Sequence, residues 1–414
     1  MIKKLPTIAI LLLTIIYTPA QIPVIFKPTI KTLQVVADQR WMDMPIIELD
    51  NGIINIDFDD LTHETQRYAY KIVHCTANFQ TSNDLFESDY IDGFAEGNLI
   101  DDIHESLNTN TLYTHYHFSI PNEKCSIKLS GNYRVTVYDE NNEDAPVFKA
   151  YFMVVEPVMK MALQVTTNTE KSINKQHQQL GMNLYFNGLN ITDWKREIQT
   201  IVIQNGRWDN AVVNPAPQYI KHDGLIWDHN TQLVFNGGNE YRKFEILDVN
   251  HANMGVRSLD WDNTEYHAYL WTDEPRTNYV YDEDANGAFF IRNSDNREIN
   301  YTSEYQIVHF CLKIPPTNAS IYLNGAWTYN QLTPEYQLSW NSNTQCYESK
   351  HLLKQGYYNY QYLMKHPSNQ VDIIPSEGNF FQTENQYTVL VYYHGIGSRY
   401  DRLVCTASLR ANSK

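Results

Sequence analysis

The stretch YTHYHFSIPNEKCSIKLSGNYRVTVYDENNEDAPVFKAYFMVVEP (Tyr113–Pro157) decides the fold class of this chain. Apolar and polar residues alternate along it in short runs, which is typical of half-buried β-strands, and Gly, Asn and Asp mark turns between the runs. The predicted strands are Tyr113–Ile120, Ser126–Leu129, Tyr133–Tyr138 and Val147–Val155. The stretch therefore predicts consecutive antiparallel strands, the last of which ends at Pro157.

Runs of the same kind precede this stretch, with no helical period between them. They are Leu33–Val36, Ile53–Phe58 and Ala69–His74. Six or seven strands within roughly 125 residues are typical of an antiparallel sandwich. We place a first β-sandwich domain at 31–157, after an N-terminal segment at 21–30.

The remaining chain is too long for one further core and also favours strands, so we expect a β-rich middle domain at 158–304 and a C-terminal domain at 305–414. In the last part a strand, Asn324-Gly325 and Trp327 precede a Gly-Tyr-Tyr-x-Tyr strand, and the strand Tyr387–Tyr393 closes the domain. This order resembles the immunoglobulin-like (E-set) modules attached to starch-active enzymes. The predicted fold class is all-β, with two to three consecutive immunoglobulin-like or β-sandwich domains.

The N-terminus has the pattern of a secretory signal peptide at 1–20. Lys3 and Lys4 precede an apolar run at Ile8–Ile16, and a small residue stands before Gln21, where we expect cleavage. The apolar run is too short to span a membrane, which takes about 20 residues. We therefore expect an exported periplasmic protein that does not insert directly into a membrane.

The charge balance argues against nucleic-acid binding. The chain has 48 acidic and 32 basic residues, and removing Lys3 and Lys4 with the signal leaves 30 basic residues and a net charge of −18. Such a chain lacks the basic surface that nucleic acid requires, and anionic lipid repels it.

The cysteine pattern argues against a zinc ribbon or a thioredoxin-like site, because the count is odd and no C-x-x-C occurs. One or two disulfides could form in an oxidising periplasm, but burial as small apolar side chains is favoured. The pairing stays open for the cysteines, which are Cys75, Cys125, Cys311, Cys346 and Cys405.

Two stretches could bind metal. Asp282–Gly287 matches the start of a calcium loop, but Asn293 stands where the bidentate Glu belongs, so a solvated hairpin turn is favoured over a calcium site. His115-x-His117 places two imidazoles on one strand face. A third ligand such as His74 or Asp139 cannot be placed from sequence, and histidines satisfied within the strand are favoured.

Enzymatic motifs do not accompany the abundant carboxylates, of which Asp57, Asp59 and Asp60 form one group. A glycosidase needs two carboxylates at a set separation, and nothing in the sequence pairs them. The chain also lacks the nucleophile elbow, phosphate loop, dinucleotide fingerprint and H-E-x-x-H patterns. We therefore expect no catalytic, metal or cofactor-binding residues.

Tyrosines cluster near the C-terminus. Tyr358, Tyr360 and Tyr362 share one strand face, and Asn359 and Gln361 lie on the other, which favours a core role for the tyrosines. A second group flanks the loop His394–Gly397 and consists of Tyr392, Tyr393 and Tyr400. Exposed tyrosines there would suit a protein interface, but a structural turn is favoured.

Four stretches together resemble the plug protein of the Bacteroidota type IX secretion system. They are KQGYYNYQY (Lys354–Tyr362), EGNFFQTENQYTVLVYYHGIGSRYDRLV (Glu377–Val404), YKIVHCTANFQTSNDLFESDYIDGF (Tyr70–Phe94) and Tyr113–Pro157. The resemblance extends from about Lys31 to about Leu403 and implies a non-enzymatic periplasmic subunit. Its implied partner is the giant outer-membrane β-barrel translocon, whose periplasmic mouth the plug seals during export. The family offers no short motif for the partner interface, so those residues stay unknown.

An alternative function is carbohydrate binding by an exported β-sandwich protein. It depends on the likeness of the last domain to starch-associated modules and on the aromatic content, which includes 8 tryptophans. Sugar binding needs a flat, exposed aromatic side chain with polar neighbours, and Trp327 is the first candidate.

Overall fold

A computed structural model describes residues 22–412, so the predicted signal peptide at 1–20 lies outside the described residues. The predicted all-β fold is confirmed. Strands supply almost all regular structure, and each α-helix of the described range is four residues long. No helix in that range is long and apolar enough to cross a membrane.

The first domain is a sandwich of two main sheets. Its strands are β1 (Val24–Ile25), β2 (Ile30–Ala37), β3 (Ile46–Glu48), β4 (Ile54–Asp60), β5 (Tyr68–Cys75), β6 (Ile91–Gly93), β7 (Asn98–Leu99), β8 (Asp102–Glu105), β9 (Thr114–Ile120), β10 (Cys125–Ile127), β11 (Gly131–Asp139) and β12 (Asn142–Val155). One sheet has the order β1-β12-β11-β5-β7, with β3 added to β12, and the other has the order β2-β4-β9-β8. A ribbon of β6 and β10 and the helix α1 (Glu87–Tyr90) complete the domain.

Aromatic side chains from both sheets form the core of this domain. The Phe58 ring stacks on Tyr116 at 5.0 Å and meets Phe148 of the opposite sheet edge-on at 4.9 Å. Offset and edge-to-face pairs of this kind add to the burial of their apolar area. The segment predicted as separate at 21–30 contributes to the sandwich, because β1 pairs with β12.

The second domain begins with seven strands and the helix α2 (Trp194–Glu197). They are β13 (Lys160–Thr166), β14 (His177–Tyr185), β15 (Ile198–Gln204), β16 (Arg207–Val213), β17 (Tyr219–Lys221), β18 (Gly224–Trp227) and β19 (Val234–Asn236). Asn205-Gly206 forms the turn of an antiparallel hairpin that joins β15 to β16. One sheet has the order β13-β14-β18-β17, with β19 on β14.

The chain then builds the third domain before the second is complete. Its strands are β20 (Arg242–Ile246), β21 (Val256–Trp261), β22 (Tyr266–Leu270), β23 (Phe289–Ile291), β24 (Tyr305–Leu312), β25 (Ser320–Asn324), β26 (Ser339–Asn341), β27 (Cys346–Lys354), β28 (Gly356–Lys365) and β29 (Val371–Ile373). The helix α3 (Ile299–Thr302) precedes β24. One sheet has the order β21-β22-β24-β27-β26, and in the other β28 pairs with β20, β23, β25 and β29.

The last two strands return to the second domain. They are β30 (Asn385–Tyr393) and β31 (Arg402–Ala411), which extend its other sheet in the order β16-β15-β30-β31. The third domain is thus inserted within the second, between β19 and β30.

The sheet pairing corrects the predicted boundary between 158–304 and 305–414. Strand β22 lies before that boundary and pairs in parallel with β24, which lies after it. The strand predicted at Tyr387–Tyr393 to close the last domain instead pairs with β15. Periodicity identifies a strand but not its partner, so a return to an earlier sheet leaves no local signal.

The two chain crossings between the second and third domains are bonded to each other. The Phe380 amide donates to the Gly238 carbonyl at 2.7 Å, and the Asn239 side chain donates to the Glu377 carbonyl at 2.8 Å. Beside them Arg242 and Arg276 both pair with the buried Glu377. These contacts fix the inserted domain on its host.

Candidate functional site

Two neighbouring strands of the first domain present acidic and imidazole side chains toward the third domain. Asp57 and Asp59 are two apart on β4, and His115 and His117 are two apart on β9, so each pair shares one face of its strand. The strand register places Asp57 opposite His117 and Asp59 opposite His115. The predicted histidine pair therefore does lie on one face, but opposite two carboxylates.

Each imidazole contacts these carboxylates directly. His115 Nδ1 lies 2.7 Å from Asp59 Oδ1, and its Nε2 lies 3.3 Å from Asp57 Oδ1. His117 Nδ1 lies 3.0 Å from the same Asp57 oxygen. Asp59 and His115 are almost completely buried, whereas His117 is half-buried. The four side chains form a chain of alternating charge that ends at the solvent.

The third domain completes this cluster with Lys354 and Tyr305. Lys354 Nζ and the Tyr305 hydroxyl each donate to Asp59 Oδ2 at 2.6 Å. The ammonium also lies 4.2 Å from the centre of the Tyr113 ring. Lys354 and Asp59 both have a side-chain exposure of 1%. A charge pair this deep must have almost all its polar atoms satisfied to persist. We call these six residues the interdomain charge cluster; they are Asp57, Asp59, His115, His117, Tyr305 and Lys354.

The cluster shifts the pKa values of its members. Burial opposes ionisation of Asp57, but the hydrogen bonds from His115 and His117 prevail and lower its pKa to about 2. Burial also opposes the charge on His115, yet the Asp57 and Asp59 carboxylates raise its pKa. The hydrogen bond to Asp57 raises the pKa of His117. Burial lowers the pKa of Lys354 despite Asp59. The imidazoles are therefore held in their charged form to a higher pH than free histidine.

The proposed third ligands of a histidine metal site lie elsewhere. His74 contacts the Ser82 hydroxyl at 2.8 Å and the Ser130 carbonyl at 3.1 Å, and Asp139 accepts from the Asn141 amide in a turn. Among residues 22–412 no three His, Cys, Asp or Glu side chains converge as a metal site. Both ring nitrogens of His115 and the Nδ1 of His117 lie against carboxylates within the cluster.

A polar cleft leads from the cluster to solvent between the first and third domains. Its walls include His104, which stacks on Tyr301 at 4.7 Å, and Trp41, which contacts Phe290 at 5.3 Å. Further contacts close the same interface, including the Leu107 amide to the Tyr301 carbonyl at 2.8 Å. The cleft is the solvent-exposed margin of an extensive domain contact.

Trp327 lies inside the third domain and cannot serve as an exposed sugar platform. Its side chain is 6% exposed, and its indole nitrogen donates to the Asn359 carbonyl at 3.0 Å. The ring stacks on Phe310 at 5.8 Å. The expectation that Trp327 offers a flat binding surface is wrong, because it packs in the hydrophobic core.

The predicted hairpin turn at Asp282–Gly287 is also wrong, because the strand after it, β23, pairs with β28. Asp282 pairs with Lys243 at 2.6 Å, while Asp284 accepts the Tyr241 and Asn286 amides. Burial raises the pKa of Asp284 to about 7. The two carboxylates thus have different partners, since Asp282 meets an ammonium group and Asp284 accepts two backbone amides.

The tyrosine strand is buried on both faces. Tyr358, Tyr360 and Tyr362 are in the core as predicted, and the last two donate to Asp273 at 2.8 and 2.7 Å. Asn359 and Gln361 on the opposite face are buried as well. On this face Asn359 accepts the Ala285 amide at 2.5 Å, and Gln361 donates to the Tyr241 hydroxyl at 2.9 Å.

The loop His394–Gly397 is a turn whose flanking tyrosines are not exposed. Tyr392 is buried and donates to Asn132 of the first domain at 2.8 Å, while Tyr393 and Tyr400 are half-buried. The exposed apolar residue of the loop is Ile396. The tyrosines thus stabilise the loop, and the side chain offered to solvent is one that the sequence reasoning passed over.

The cysteines are free thiols in this structure, and four of them are buried, as their predicted role in strands implies. Burial, together with the neighbouring Cys346 thiol on the adjacent strand, raises the pKa of Cys311 to about 12. A thiol with so high a pKa is a poor nucleophile.

Lys354 and Tyr305 are the cluster residues that sequence reasoning missed. Lys354 is 295 positions from Asp59, and Tyr305 is 246 positions from it. The sequence feature that could have pointed to the cluster is Lys354 itself, a lysine at the end of an otherwise alternating strand, directly before Gln355-Gly356. That signal does not identify a partner.

Comparison with protein-family models matches residues 30–156 to the first domain of the type 9 secretion system plug protein. The match coincides with the first sandwich. A crystal structure of a hypothetical protein from Parabacteroides merdae is similar over the whole fold, with 38% sequence identity and a TM-score of 0.91. The similarity covers 94% of this chain and 99% of that chain. Comparison with curated proteins gives no match.

Proposed function

The chain belongs to the plug protein family of the type IX secretion system, and from that premise we propose that it seals the periplasmic mouth of the system's outer-membrane β-barrel during protein export. In this proposal it is a non-catalytic periplasmic subunit, exported by a cleaved signal peptide. The observation that carries the proposal is the family match over residues 30–156.

The contacts that join the three domains support a role in closing a pore. A folded body that closes a wide aqueous pore must resist rearrangement while it is seated. The first domain shares apolar core with the second, through Met153 and Leu390, and buried charges with the third, through Asp59 and Lys354. The inserted third domain is tied to the second by two chain crossings. These contacts oppose movement of the domains relative to one another.

The interdomain charge cluster supports a structural rather than a catalytic use of its side chains. General acid–base catalysis needs a group that can reach a substrate proton. Asp59 and Lys354 are instead occupied by each other and by Tyr305, in a contact that neither domain could make alone. The plug proposal accounts for this arrangement as interface stabilisation.

Affinity purification tests the proposal. A tagged full-length chain is recovered from detergent-solubilised membranes of its native host, and the co-purifying proteins are measured by quantitative mass spectrometry. We expect one very large outer-membrane barrel that is absent from the same purification with an untagged chain. Recovery of the chain alone, or with polysaccharide-utilisation proteins, would contradict the proposal.

A permeability assay tests the sealing step itself. Deletion of the chain should admit a large hydrophilic dye or antibiotic through the outer membrane, provided that the barrel is present. Deletion of both the chain and the barrel is the control, because it removes the pore and should restore exclusion. Equal permeability in the single and double deletions would refute sealing.

A further inference from the structure

Three large apolar side chains of the first and second domains are very exposed. Phe86 is 76% exposed, Phe94 is 69% exposed and Ile396 is 87% exposed. Single exposed apolar residues are ordinary on soluble proteins, but a group of large ones is typical of a binding surface. Phe86 and Phe94 flank the helix α1 and strand β6 of the first domain, while Ile396 belongs to the second domain. We call these three residues the apolar end.

Contacts between the domains hold the loop of Ile396 beside the segment of Phe86. The Arg399 side chain pairs with Asp89 in α1 at 2.9 Å and donates to the Asp84 carbonyl at 3.3 Å. Two residues further, Asp401 accepts the Ala77 amide at 2.8 Å. The loop bearing Ile396 is thereby held against the segment bearing Phe86.

The backbone beneath the apolar end is fixed. The Phe86 amide donates to Asp89 at 2.9 Å, and the Phe94 amide donates to the Lys124 carbonyl at 3.0 Å. Gly93 allows this approach, because its φ is +93° and a Cβ there would lie 2.2 Å from the Lys124 carbonyl oxygen. Apolar side chains on a backbone already held in place lose little entropy when they bind.

The surroundings of the apolar end are acidic. From Ser82 to Gly97 the chain has five acidic residues and no basic one. Apart from Asp89, these carboxylates are exposed and take part in no ion pair within residues 22–412; they are Asp84, Glu87, Asp92 and Glu96. The basic side chains that reach this segment are Arg399, which pairs with Asp89, and Lys128, which donates to the Ser88 carbonyl at 2.8 Å. The four other carboxylates leave an excess of negative charge beside the apolar side chains.

We infer that the apolar end is the face by which the chain contacts the outer-membrane barrel, inserting Phe86, Phe94 and Ile396 into apolar recesses bordered by basic side chains. This inference rests on the proposed function and names its contact surface. The unpaired carboxylates indicate which class of partner fits this surface. A two-fold pairing of two copies would set these carboxylates against one another, and an anionic lipid surface would repel them. A barrel surface with apolar recesses and basic side chains would complement both the exposed apolar side chains and the unpaired carboxylates.

The test removes the three apolar side chains from the full-length chain as F86S/F94S/I396S. The matched control is I173S/I220S/W271S, which removes three side chains exposed to 65%, 62% and 62% on the other two domains. Both variants should fold, because exposed substitutions change stability little; the melting temperature checks this. We expect at least a tenfold loss of barrel per molecule of purified bait for the first variant and no change for the control.

Each alternative outcome has a defined meaning. Wild-type recovery of barrel by F86S/F94S/I396S overturns the inference but leaves the proposed function standing. Failure of the unaltered chain to recover any barrel overturns both. A dimer of the pure protein in light scattering that F86S/F94S/I396S abolishes would assign the surface to a second copy and overturn the inference.

The four unpaired carboxylates give an independent readout. The variant D84N/E87Q/D92N/E96Q keeps the apolar anchors and removes the unpaired charge. We expect it to bind the barrel more weakly at low salt and to show a flatter dependence of affinity on ionic strength than the unaltered chain. An unchanged salt dependence would overturn the electrostatic part of the inference.

Discussion

The first domain meets its two neighbours through contacts of opposite chemistry. Toward the second domain it shares a hydrophobic cluster in which Met153 and Val155 pack with Ile203, Leu390 and Leu403. Toward the third domain its deepest contact is the ion pair of Asp59 with Lys354, with the histidines beside it. One chain thus joins its domains once by apolar packing and once by buried charge.

The difference shows what each interface can do. Apolar packing tolerates small changes of geometry and is indifferent to pH, because it involves no protons. A buried ion pair gains little net free energy but strongly penalises an arrangement that leaves one partner unmatched. The apolar interface therefore supplies adhesion, whereas the charged interface fixes the relative position of the first and third domains and makes it dependent on pH.

Removing one partner of the buried pair should have the largest effect. Lys354→Met leaves Asp59 buried without its cation, which costs about 3–5 kcal/mol in comparable buried pairs. We expect a large fall in melting temperature and faster hydrogen exchange in β9 and α3 at the interface. Lys350→Met is the matched control, because it lies on the same strand and is exposed.

The double variant Asp59→Asn with Lys354→Met separates charge from packing. Removing both charges should recover part of the stability that Lys354→Met alone loses, because no uncompensated carboxylate remains. If the double variant is less stable than Lys354→Met, the ion pair is not the source of the penalty. The melting temperatures of the single and double variants decide between these results.

A cavity in the apolar interface should have the next largest effect. Leu390→Ala deletes a fully buried side chain between the first and second domains, and such changes typically cost about 2–5 kcal/mol. Denaturant unfolding at several pH values measures this cost, which we expect to be independent of pH. Leu107→Ala, at a site 55% exposed, is the control. A cost that varies with pH would mean that the apolar interface is coupled to titrating groups.

A change of pH should weaken the charged interface more moderately. The pKa values of His115 and His117 are raised above their ordinary 6.5, so the stability that their charged forms contribute is fully present below pH 6.5 and is lost as pH rises through the raised values. The charged or titratable groups around them are Asp57, Asp59, Asp102, His104 and Lys354. The protection of the α3 amides, which is the exchange rate corrected for its intrinsic dependence on pH, should fall as pH rises above 6.5.

His117→Asn tests the origin of that dependence. It keeps a polar side chain on Asp57 but cannot become charged, so the change of protection with pH should become smaller. His222→Asn, at an exposed site in the second domain, should leave it unaltered. Equal pH dependence in His117→Asn and the unaltered chain would assign the effect to other groups.

Local patterns predicted the strands well and the partners of those strands poorly. Alternation identified the strands of the first sandwich because each pattern is contained within one run of residues. The return of β30 to pair with β15 was missed, because nothing in Tyr387–Tyr393 encodes a partner placed before the inserted domain. The histidine pair was located correctly on one face, but its opposing carboxylates depend on strand register.

The surface residues were the hardest to predict. Tyr392 was a candidate interface residue because it is an aromatic near a glycine-bearing loop. It is instead buried against the first domain, while Ile396 in the loop is exposed. Sequence composition does not distinguish an apolar side chain that packs from one that protrudes, because the difference lies in the tertiary contacts of the loop. Trp327 was misjudged for the same reason.

The exposed pair of Arg399 with Asp89 is a third kind of domain contact, and breaking it should have the smallest effect on stability. Solvent screens such a pair, so we expect Arg399→Gln to melt at the temperature of the unaltered chain. Because this pair positions the Ile396 loop on α1, exchange of the amides at 395–399 should nevertheless become faster. Arg410→Gln, which breaks another exposed pair with Glu384, is the control and should leave that loop unaltered. A fall in melting temperature as large as that of Leu390→Ala would place Arg399 with the buried contacts, and unchanged exchange would mean that Asp401 alone holds the loop.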